Sequence, residues 1–324
     1  MNSVNASNSH NISIVHPQYF FIIGLSGIPY STYFYVFLFM IYFITIIGNS
    51  IVLLIIALER SLHSPKYICV FNLALADIGE TNALIPNMMK TFLFDTQNIS
   101  YNACLANMFF VFFFSSLQSI TLVVLAYDRF IAICLPLRYH AIMDNTSMFF
   151  LFAAIWAFNS SMVTLMVSLI TRLSICGSNA IQSYFCDHGP VYRLACNDYN
   201  LNKSVGFVIT SLFLIGPMFI IFLSYVGIFL ALSKITTWES RLRALKTCVS
   251  HLLLVGIYFL PICFTYLAQL LVLLTPNGRV ISTSLAYTFP AMLNPIIYVL
   301  NTTEIKNLLR KILTNRASPI GEKI

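Results

Sequence analysis

Long apolar runs separated by short polar segments dominate the chain. Seven of these runs reach the length of about 20 residues that a helix needs to cross a bilayer. They lie at residues 33–58, 67–94, 104–136, 148–171, 204–233, 247–274 and 279–300. Their helical periodicity is weak, as is typical of bundle helices that face lipid on one side and protein on the other. They are too long for transmembrane β-strands and lack strand-like alternation. The pattern predicts an all-α membrane protein, a seven-transmembrane helix bundle.

Composition supports a membrane protein. The chain is 58% hydrophobic and 9% charged, whereas an ordinary soluble domain is about 25% charged. The mean hydropathy is +0.82. The 18 Lys and Arg and 11 Asp and Glu residues are too few to cover a soluble surface. The formal charge of +7 is spread over loops and a tail rather than gathered in one patch, so no nucleic-acid partner is expected.

Basic residues predict the orientation. If the N-terminus is extracellular, the cytoplasmic side holds 13 of the 18: Arg60, Lys66, Arg129, Arg138, Lys234, Arg241, Arg243, Lys246, Lys306, Arg310, Lys311, Arg316 and Lys323. The outer side holds Lys90, Arg172, Arg193, Lys203 and Arg279. This bias fits the positive-inside rule. We therefore expect a plasma-membrane protein with an extracellular tail (1–29), a transmembrane domain (30–301) and a cytoplasmic C-terminal segment (302–324).

The N-terminal tail contains no basic segment followed by an apolar run and a cleavage site. No removable signal peptide is expected, and the first span would direct insertion. Two N-x-S sequons in this tail, at Asn5 and Asn11, predict glycosylation. Sequons at Asn98 and Asn202 fall on predicted outer loops and are further candidates.

Four of the eight cysteines lie on the predicted outer side, where disulfides form: Cys104, Cys176, Cys186 and Cys196. Four cysteines allow three pairings, and spacing does not decide between them. The other four, Cys69, Cys134, Cys248 and Cys263, lie in or near the membrane or cytoplasm and are expected to be small buried hydrophobes.

Two acidic residues lie inside the second span. Asp77 and Glu80 are three residues apart and therefore share one helix face. Two carboxylates inside a membrane should not both ionise without a cation. We expect either a bound sodium ion or a shared proton here. A single neutral, hydrogen-bonded acid held for packing is the alternative.

Short motifs on five of the spans carry a family resemblance. They are Gly48-Asn49, residues 73–77 (LALAD), residues 125–130 (LAYDRF), Ser224-Tyr225 and residues 290–298 (PAMLNPIIY). In this order the motifs resemble those of rhodopsin-like G-protein-coupled receptors over essentially the whole chain.

A finer resemblance is to vertebrate odorant receptors. It rests on residues 125–134 (LAYDRFIAIC), 62–67 (LHSPKY) and 243–251 (RALKTCVSH), and on three outer cysteines spaced ten apart. His16-Pro17 and the GIP sequence at 27–29 resemble the class I branch.

Three positions depart from the odorant-receptor pattern. Phe130 replaces a usual Tyr, Lys66 a Met and Arg243 a Lys. Loss of one hydroxyl at Phe130 should not abolish coupling, and Lys66 can extend its charge to the inner interface.

The receptor resemblance implies a switch and two disulfides. Arg129 would pair with Asp128 at rest and move towards Tyr225 and the G protein when the sixth span moves outwards. Asn294, Pro295 and Tyr298 of the seventh span would repack at the same time. The implied disulfides are Cys104–Cys186 and, by the remaining pair, Cys176–Cys196. The implied sodium pocket joins Asp77 with Asn49 and Asn294, and Gln118 and Glu80 face the same region.

The resemblance also implies a ligand pocket between the third, fifth, sixth and seventh spans. Its expected lining is Met108, Phe112, Ser115, Ser116, Ile209, Thr210, Phe259, Ile262, Tyr266, Gln269 and Tyr287. The expected ligand is a small-molecule odorant, and the expected partner a stimulatory heterotrimeric G protein that raises cAMP.

Two residues favour a neutral, oxygen-bearing ligand. Val111 stands where amine receptors have an Asp, and Leu270 where some class I odorant receptors have an Arg. A ligand with an acid group remains an alternative, and it would contact the cations at the rim of the pocket: Lys90, Arg172, Arg193 or Arg279. The simpler interpretation is that these are solvent-exposed loop charges that bind no ligand.

Other functions are less well supported. The chain contains no H-E-x-x-H, G-x-S-x-G or phosphate-loop motif, so an enzyme is not expected and no cofactor other than sodium is implied. A transporter would show internal halves with matching broken helices, and the seven unlike spans do not. A non-olfactory receptor for a small metabolite remains the alternative.

After the seventh span, a short amphipathic helix on membrane lipid is expected, with Ile305, Leu308, Leu309 and Ile312 opposite Lys306, Arg310 and Lys311.

Overall fold

Seven long helices make up most of the part of the chain that the structure describes. The structure is a computed structural model that describes residues 14–25, 27–93, 97–234, 237–301 and 304–308. The helices are α1 (Ser31–Leu58), α2 (Pro65–Leu93), α3 (Tyr101–Cys134), α4 (Asn145–Ser168), α5 (Asn200–Ser233), α6 (Trp238–Leu270) and α7 (Pro276–Asn301). Each is long and apolar enough to cross a membrane. The predicted seven-helix membrane bundle is confirmed.

The helices begin a few residues before the apolar runs because caps lie in the polar flanks. The Ser100 hydroxyl accepts a hydrogen bond from the Ala103 amide, and the Asp144 carboxylate accepts from the Thr146 and Ser147 amides. Helix α6 differs most from its predicted span, since it starts at Trp238 rather than 247. Its first turns are polar and basic, so hydropathy does not register them.

Helix α3 lies at the centre of the bundle and packs against α2, α4, α5 and α6. Helix α5 is interrupted by a π-helical turn at Ser211–Ile215, between Asn200–Thr210 and Gly216–Ser233. A π turn inserts an extra residue and re-aims the flanking side chains, and such turns are common at functional sites. Pro261 lies within α6 and removes one backbone hydrogen bond there.

We call the end of the bundle that carries the disulfides the outer end, following the predicted orientation. A three-stranded sheet covers part of it: β1 (Tyr19–Ile22) lies between antiparallel β2 (Asn98–Ser100) and parallel β3 (Ala180–Ile181). Phe20 and Ile22 are fully buried beneath it. The sequence did not predict this sheet, because its strands are only two to four residues long.

Two disulfides secure the outer end. Cys104 of α3 is bonded to Cys186, and Cys176 is bonded to Cys196. These are the two pairs that the receptor resemblance implied. The Cys104–Cys186 bond joins residues 82 apart in sequence and ties the loop between α4 and α5 to the top of α3.

The C-terminal segment is described only at residues 304–308, which are helical. Ile305 is fully buried and Leu308 packs against the inner core of the bundle. The rest of the predicted amphipathic helix, including Leu309, Arg310, Lys311 and Ile312, lies outside the described residues. So do the sequons at Asn5 and Asn11.

Candidate functional site

Two adjoining cavities that share part of their walls lie in the outer half of the bundle. The inner one has a volume of about 60 Å³, and the outer one of about 1030 Å³. Seven residues line both: Phe112, Met166, Thr210, Leu214, Ile262, Tyr266 and Tyr287. A small-molecule site has a volume of roughly 300–1000 Å³, so the combined space is adequate for one.

Most of the predicted pocket residues line these cavities. Eight of the eleven line the inner cavity: Phe112, Ser115, Ser116, Ile209, Thr210, Ile262, Tyr266 and Tyr287. Gln269 lines the outer cavity. The wall is mostly apolar, with hydroxyl groups at a few points.

Two predicted pocket residues lie outside both cavities. Met108 is fully buried in the outer core cluster, packed near the Cys104–Cys186 disulfide. Phe259 is buried in the inner core cluster and stacks edge-on against Tyr258, with ring centroids 4.8 Å apart. Met108 therefore packs with the small sheet and the outer loop, and Phe259 with the helices of the inner core. Sequence position alone does not fix the helix rotation that decides this.

Tyr258 is a wall residue that the sequence analysis missed. It lines the inner cavity, and its hydroxyl donates a hydrogen bond to the Ser115 carbonyl at 2.6 Å. It therefore links the cavity floor to α3. Tyr258 precedes Ile262 by four residues and Tyr266 by eight, so a regular helical stripe could have identified it.

The mouth of the outer cavity is charged. Asp187, His188 and Arg193 line it from the loop, Lys203 from α5, and Arg279 from α7. Arg279 Nη2 donates to Asp187 Oδ2 at 3.0 Å, which joins the loop to α7. Neither Lys90 nor Arg172, the other predicted rim cations, lines the described cavity.

His188 is a neutral side chain held in this wall. It is 5% exposed, and burial lowers the pKa of its imidazole to about 4. Its ring lies 5.1 Å from the ring of Tyr192 and against Gly206, where a methyl group would approach His188 Cε1 to 2.8 Å. Glycine at 206 therefore leaves room for the imidazole.

A cluster of buried polar groups lies deeper in the bundle. Asn294 donates to Asp77 at 2.9 Å, and Gln118 donates to Glu80 at 2.7 Å. Asn49 donates to the Ala291 carbonyl at 2.9 Å. The structure thus connects α1, α2, α3 and α7 through the residues expected to form the sodium pocket.

Three oxygens in this cluster are buried without a hydrogen-bond partner: Asn49 Oδ1, Glu80 Oε1 and Gln118 Oε1. Together with the Asp77 carboxylate they are amide and carboxylate oxygens, the ligands that hard cations take. The donor set therefore fits a sodium ion. No group of three or more His, Cys, Asp or Glu suited to another metal occurs among the described residues.

The inner end of α3 carries the predicted switch residues. Asp128 is 1% exposed and accepts a hydrogen bond from the Tyr139 hydroxyl at 2.7 Å. Arg129 Nη1 lies 3.7 Å from Asp128 Oδ2, a longer contact. Asp128 therefore has two partners, of which Tyr139 was not predicted.

Tyr225 of α5 contacts α6 rather than Arg129. His251 Nε2 lies 3.1 Å from the Leu122 carbonyl, so this nitrogen carries the proton. His251 Nδ1 therefore accepts the hydrogen bond from the Tyr225 hydroxyl at 2.8 Å. The imidazole links α3, α5 and α6 at the inner end.

The other three switch residues, Asn294, Pro295 and Tyr298, lie in α7. Pro295 packs against Gly48 so closely that a methyl group there would approach Pro295 Cγ to 2.9 Å. Tyr298 is buried, and its hydroxyl has no hydrogen-bond partner. Asn294, one residue before Pro295, carries the link to Asp77.

The sequons on the outer side differ in accessibility. Asn98 is exposed at the edge of the small sheet. Asn202 is 0% exposed in the first turn of α5, so the structure contradicts glycosylation there. A sequon shows only the local sequence, so it does not reveal that its asparagine is buried at the start of a helix.

The chain is similar in sequence to known olfactory receptors. The olfactory receptor family model matches residues 38–316. Human olfactory receptor 1M1 is 33% identical over 299 residues, covering 92% of this chain and 95% of that protein. Rat olfactory receptor 1 is 34% identical over 92% of this chain and 95% of its own. Human olfactory receptor 10A2 is 36% identical over 84% and 89%.

A solved structure shows the same fold. Squid rhodopsin superimposes with a TM-score of 0.73 at 16% identity, covering 92% of this chain and 90% of that one. The rhodopsin-like bundle predicted from the motifs is confirmed, and assignment to the class I branch stays a prediction. The chain belongs to the olfactory receptor family of G-protein-coupled receptors, which are multi-pass plasma-membrane signalling proteins and not enzymes.

Proposed function

We propose that this receptor binds a small odorant in the two adjoining cavities and activates a stimulatory heterotrimeric G protein, which raises cAMP. The observation that carries the proposal is the position of the inner cavity, whose wall is shared by α3, α5, α6 and α7. A ligand there contacts the helices whose rearrangement the proposed switch requires. It can therefore favour one arrangement of the bundle over another through unequal affinity.

Tyr258 couples the cavity to the core in this proposal. Its hydroxyl holds α6 to the Ser115 carbonyl of α3 directly at the cavity wall. Leu254 and His251 lie one and two helical turns from Tyr258 towards the inner end of α6. Both are buried, so they join this part of α6 to the core of the bundle. Displacement of Tyr258 by a ligand would thus be transmitted along α6.

The contacts at the inner end support a resting arrangement. Asp128 holds Arg129 and Tyr139, while His251 holds Tyr225. Outward movement of α6 would break the His251–Tyr225 bond and release Tyr225 for Arg129. The G protein would then bind at the opened inner end, on the cytoplasmic side that the basic residues predict.

We further propose that the Asp77 cluster binds sodium in the resting arrangement. The three unpartnered oxygens and Asp77 supply a cation site beside Asn294, one residue before Pro295 of the switch. Sodium would neutralise the buried carboxylates and hold α7 in place. Replacing sodium chloride with choline chloride should raise basal G-protein activation, and Asp77→Asn should remove that response.

A cell assay tests the ligand site. Cells that express the receptor and an olfactory-type stimulatory G protein are exposed to a panel of volatile alcohols, aldehydes, ketones and acids, and cAMP is measured. Ile262→Trp fills the inner cavity and should abolish a response without loss of surface receptor. Leu260→Trp is the matched control, because Leu260 is 69% exposed on the lipid side and lines neither cavity. Equal responses of both variants and the wild type would contradict the proposal.

A further inference from the structure

A cation that departs from the odorant-receptor pattern lies near the switch. Lys66 takes the place of a usual Met and lies in the first turn of α2. A positive charge is unfavourable at the start of a helix, because the backbone dipole there is also positive. The side chain is partly buried, so its charge depends on neighbouring groups more than on water.

Helix packing brings Lys66 to the level of Asp128. Asn72 of α2 donates to the Thr121 hydroxyl of α3 at 2.7 Å, which fixes the height of one helix against the other. Towards the inner end, Lys66 is six residues from Asn72 and Asp128 is seven residues from Thr121. At 1.5 Å per residue these are rises of about 9 and 10 Å. The two residues therefore lie at nearly the same depth in the bundle.

Three charged groups act on Lys66. Repulsion by Arg129 is the largest of these interactions, and attraction to Glu304 and to Asp128 follows. The Lys66 ammonium lies over the Tyr67 ring, 5.0 Å from its centroid. The Tyr67 hydroxyl donates a hydrogen bond to the Glu304 carboxylate. Lys66 is thus influenced both by the switch pair and by the acid that follows α7.

Asp128 has a carboxylate oxygen that can accept a second cation. The side chain is 1% exposed, and its Oδ2 has no hydrogen-bond partner in the part of the chain that the structure describes. Arg129 Nη1 lies 3.7 Å from this oxygen, which is too long for a hydrogen bond, while the Tyr139 hydroxyl donates to Oδ1. Removing the cation from a buried pair is costly, because it leaves an uncompensated charge. A cation that stays beside Asp128 reduces this cost.

We propose that Lys66 is a substitute counter-ion for Asp128 that favours the release of Arg129. In the resting arrangement Lys66 repels Arg129 and competes with it for the carboxylate. After release, Lys66 compensates the charge of Asp128, and the repulsion is relieved because Arg129 has moved away. Lys66 is a positioning residue, since it acts through the switch pair. The inference rests on the proposed function and adds a residue that sets how readily the receptor activates without ligand.

Basal nucleotide exchange tests the effect on signalling. Receptor in nanodiscs is mixed with a stimulatory heterotrimer in the absence of ligand, and GTP analogue uptake is measured. Lys66→Met should lower the basal rate about fivefold, the effect of roughly one ion pair on a two-state equilibrium. Lys66→Arg should keep the wild-type rate, because it keeps the charge. Arg60→Met is the matched control and should also keep it, since Arg60 is an exposed cation in the turn before α2.

A double-mutant cycle on thermal stability tests the electrostatic coupling without a G protein. The Tm is measured for wild type, Lys66→Met, Arg129→Gln and the double variant. In wild type Lys66 is repelled by Arg129, whereas in Arg129→Gln that repulsion is gone and the attraction to Asp128 remains. Lys66→Met should therefore lower the Tm more in the Arg129→Gln background than in wild type. A lysine with a merely structural role would give equal shifts in the two backgrounds.

Three results would overturn the inference. They are a wild-type basal rate in Lys66→Met, a rate in Lys66→Arg as low as in Lys66→Met, and Tm shifts for Lys66→Met that are equal with and without Arg129. Failure of the proposed function looks different. If wild-type receptor never drives nucleotide exchange but the cycle shows the coupling, the signalling proposal is contradicted and the electrostatic role of Lys66 stands.

Discussion

Single residues in the loop between α4 and α5 set the properties of the cavity mouth. His188 is the clearest case, because burial and not a partner determines its charge state. The charged groups that face its surroundings are Asp187, Arg193, Lys203 and Arg279. A sequence shows that a histidine is present in a loop, but it does not show that the loop folds inwards over a cavity.

The pKa of His188 predicts a pH dependence of stability. The imidazole titrates at about 6.5 when unfolded and at about 4 when folded. Between these values the unfolded state binds more protons, so stability falls as the pH falls from 6.5 to 4, by about 3 kcal/mol in total. Thermal unfolding of ligand-free receptor across this range measures the loss. His188→Gln should flatten the decline, and parallel curves for the two proteins would contradict this account.

Gly206 should be intolerant of even a methyl group. Gly206→Ala places a carbon 2.8 Å from His188 Cε1, and the resulting displacement should cost about 1–3 kcal/mol. Gly177→Ala is the control, since nothing lies within 4 Å of its added methyl. We expect a lower Tm for Gly206→Ala and an unchanged Tm for Gly177→Ala. Equal Tm values would show that His188 does not lie against α5.

At the scale of elements, sequence pattern predicts the helices well and their rotation poorly. Long apolar runs mark all seven helices because membrane crossing demands about 20 apolar residues. Met108 and Phe259 show the limit, since both are on the predicted helices but pack into core clusters instead of lining the cavity. The register of β1 against β2 and β3 could not be predicted from the sequence either, because three short strands contain too few residues for a periodic pattern.

The strand β1 anchors the N-terminal segment, so its inward side chains should matter more than its outward ones. Phe20 is 0% exposed and Phe21 is 44% exposed. Phe20→Ala should cost about 3–5 kcal/mol as a large buried side chain is lost, with reduced surface expression. Phe21→Ala should have little effect. Flow cytometry of an epitope-tagged receptor and the Tm of purified protein measure both, and equal losses would contradict the burial pattern.

The bond between Cys104 and Cys186 should stabilise the outer end. Cys186→Ser releases the loop from α3 and should cost about 2–4 kcal/mol, together with the response to ligand. Cys134→Ser is the control, because Cys134 is a free cysteine that lines neither cavity. Unchanged surface expression and response in Cys186→Ser would contradict a structural role for this bond.

At the scale of the whole molecule, two sets of contacts join helices between the cavity and the inner end. One joins Tyr258 of α6 to the Ser115 carbonyl at the cavity wall, and the other joins Asp77 of α2 to Asn294 of α7, the helix that also carries Tyr298. The sequence motifs predicted the switch residues at the inner end of the bundle. They did not predict Tyr139 as the partner of Asp128 or Tyr258 at the cavity wall, because those contacts depend on how the helices pack.

The most direct test of the account is ligand-driven nucleotide exchange on a purified system. Receptor in nanodiscs is mixed with a stimulatory heterotrimer, and GTP analogue uptake is followed with and without a mixture of volatile alcohols, aldehydes and acids. We expect the mixture to accelerate exchange with wild-type receptor, Arg129→Gln to abolish that acceleration, and Lys306→Gln to retain it. Exchange that is never accelerated, or that persists undiminished in Arg129→Gln, would contradict the coupling of the cavity to the inner end.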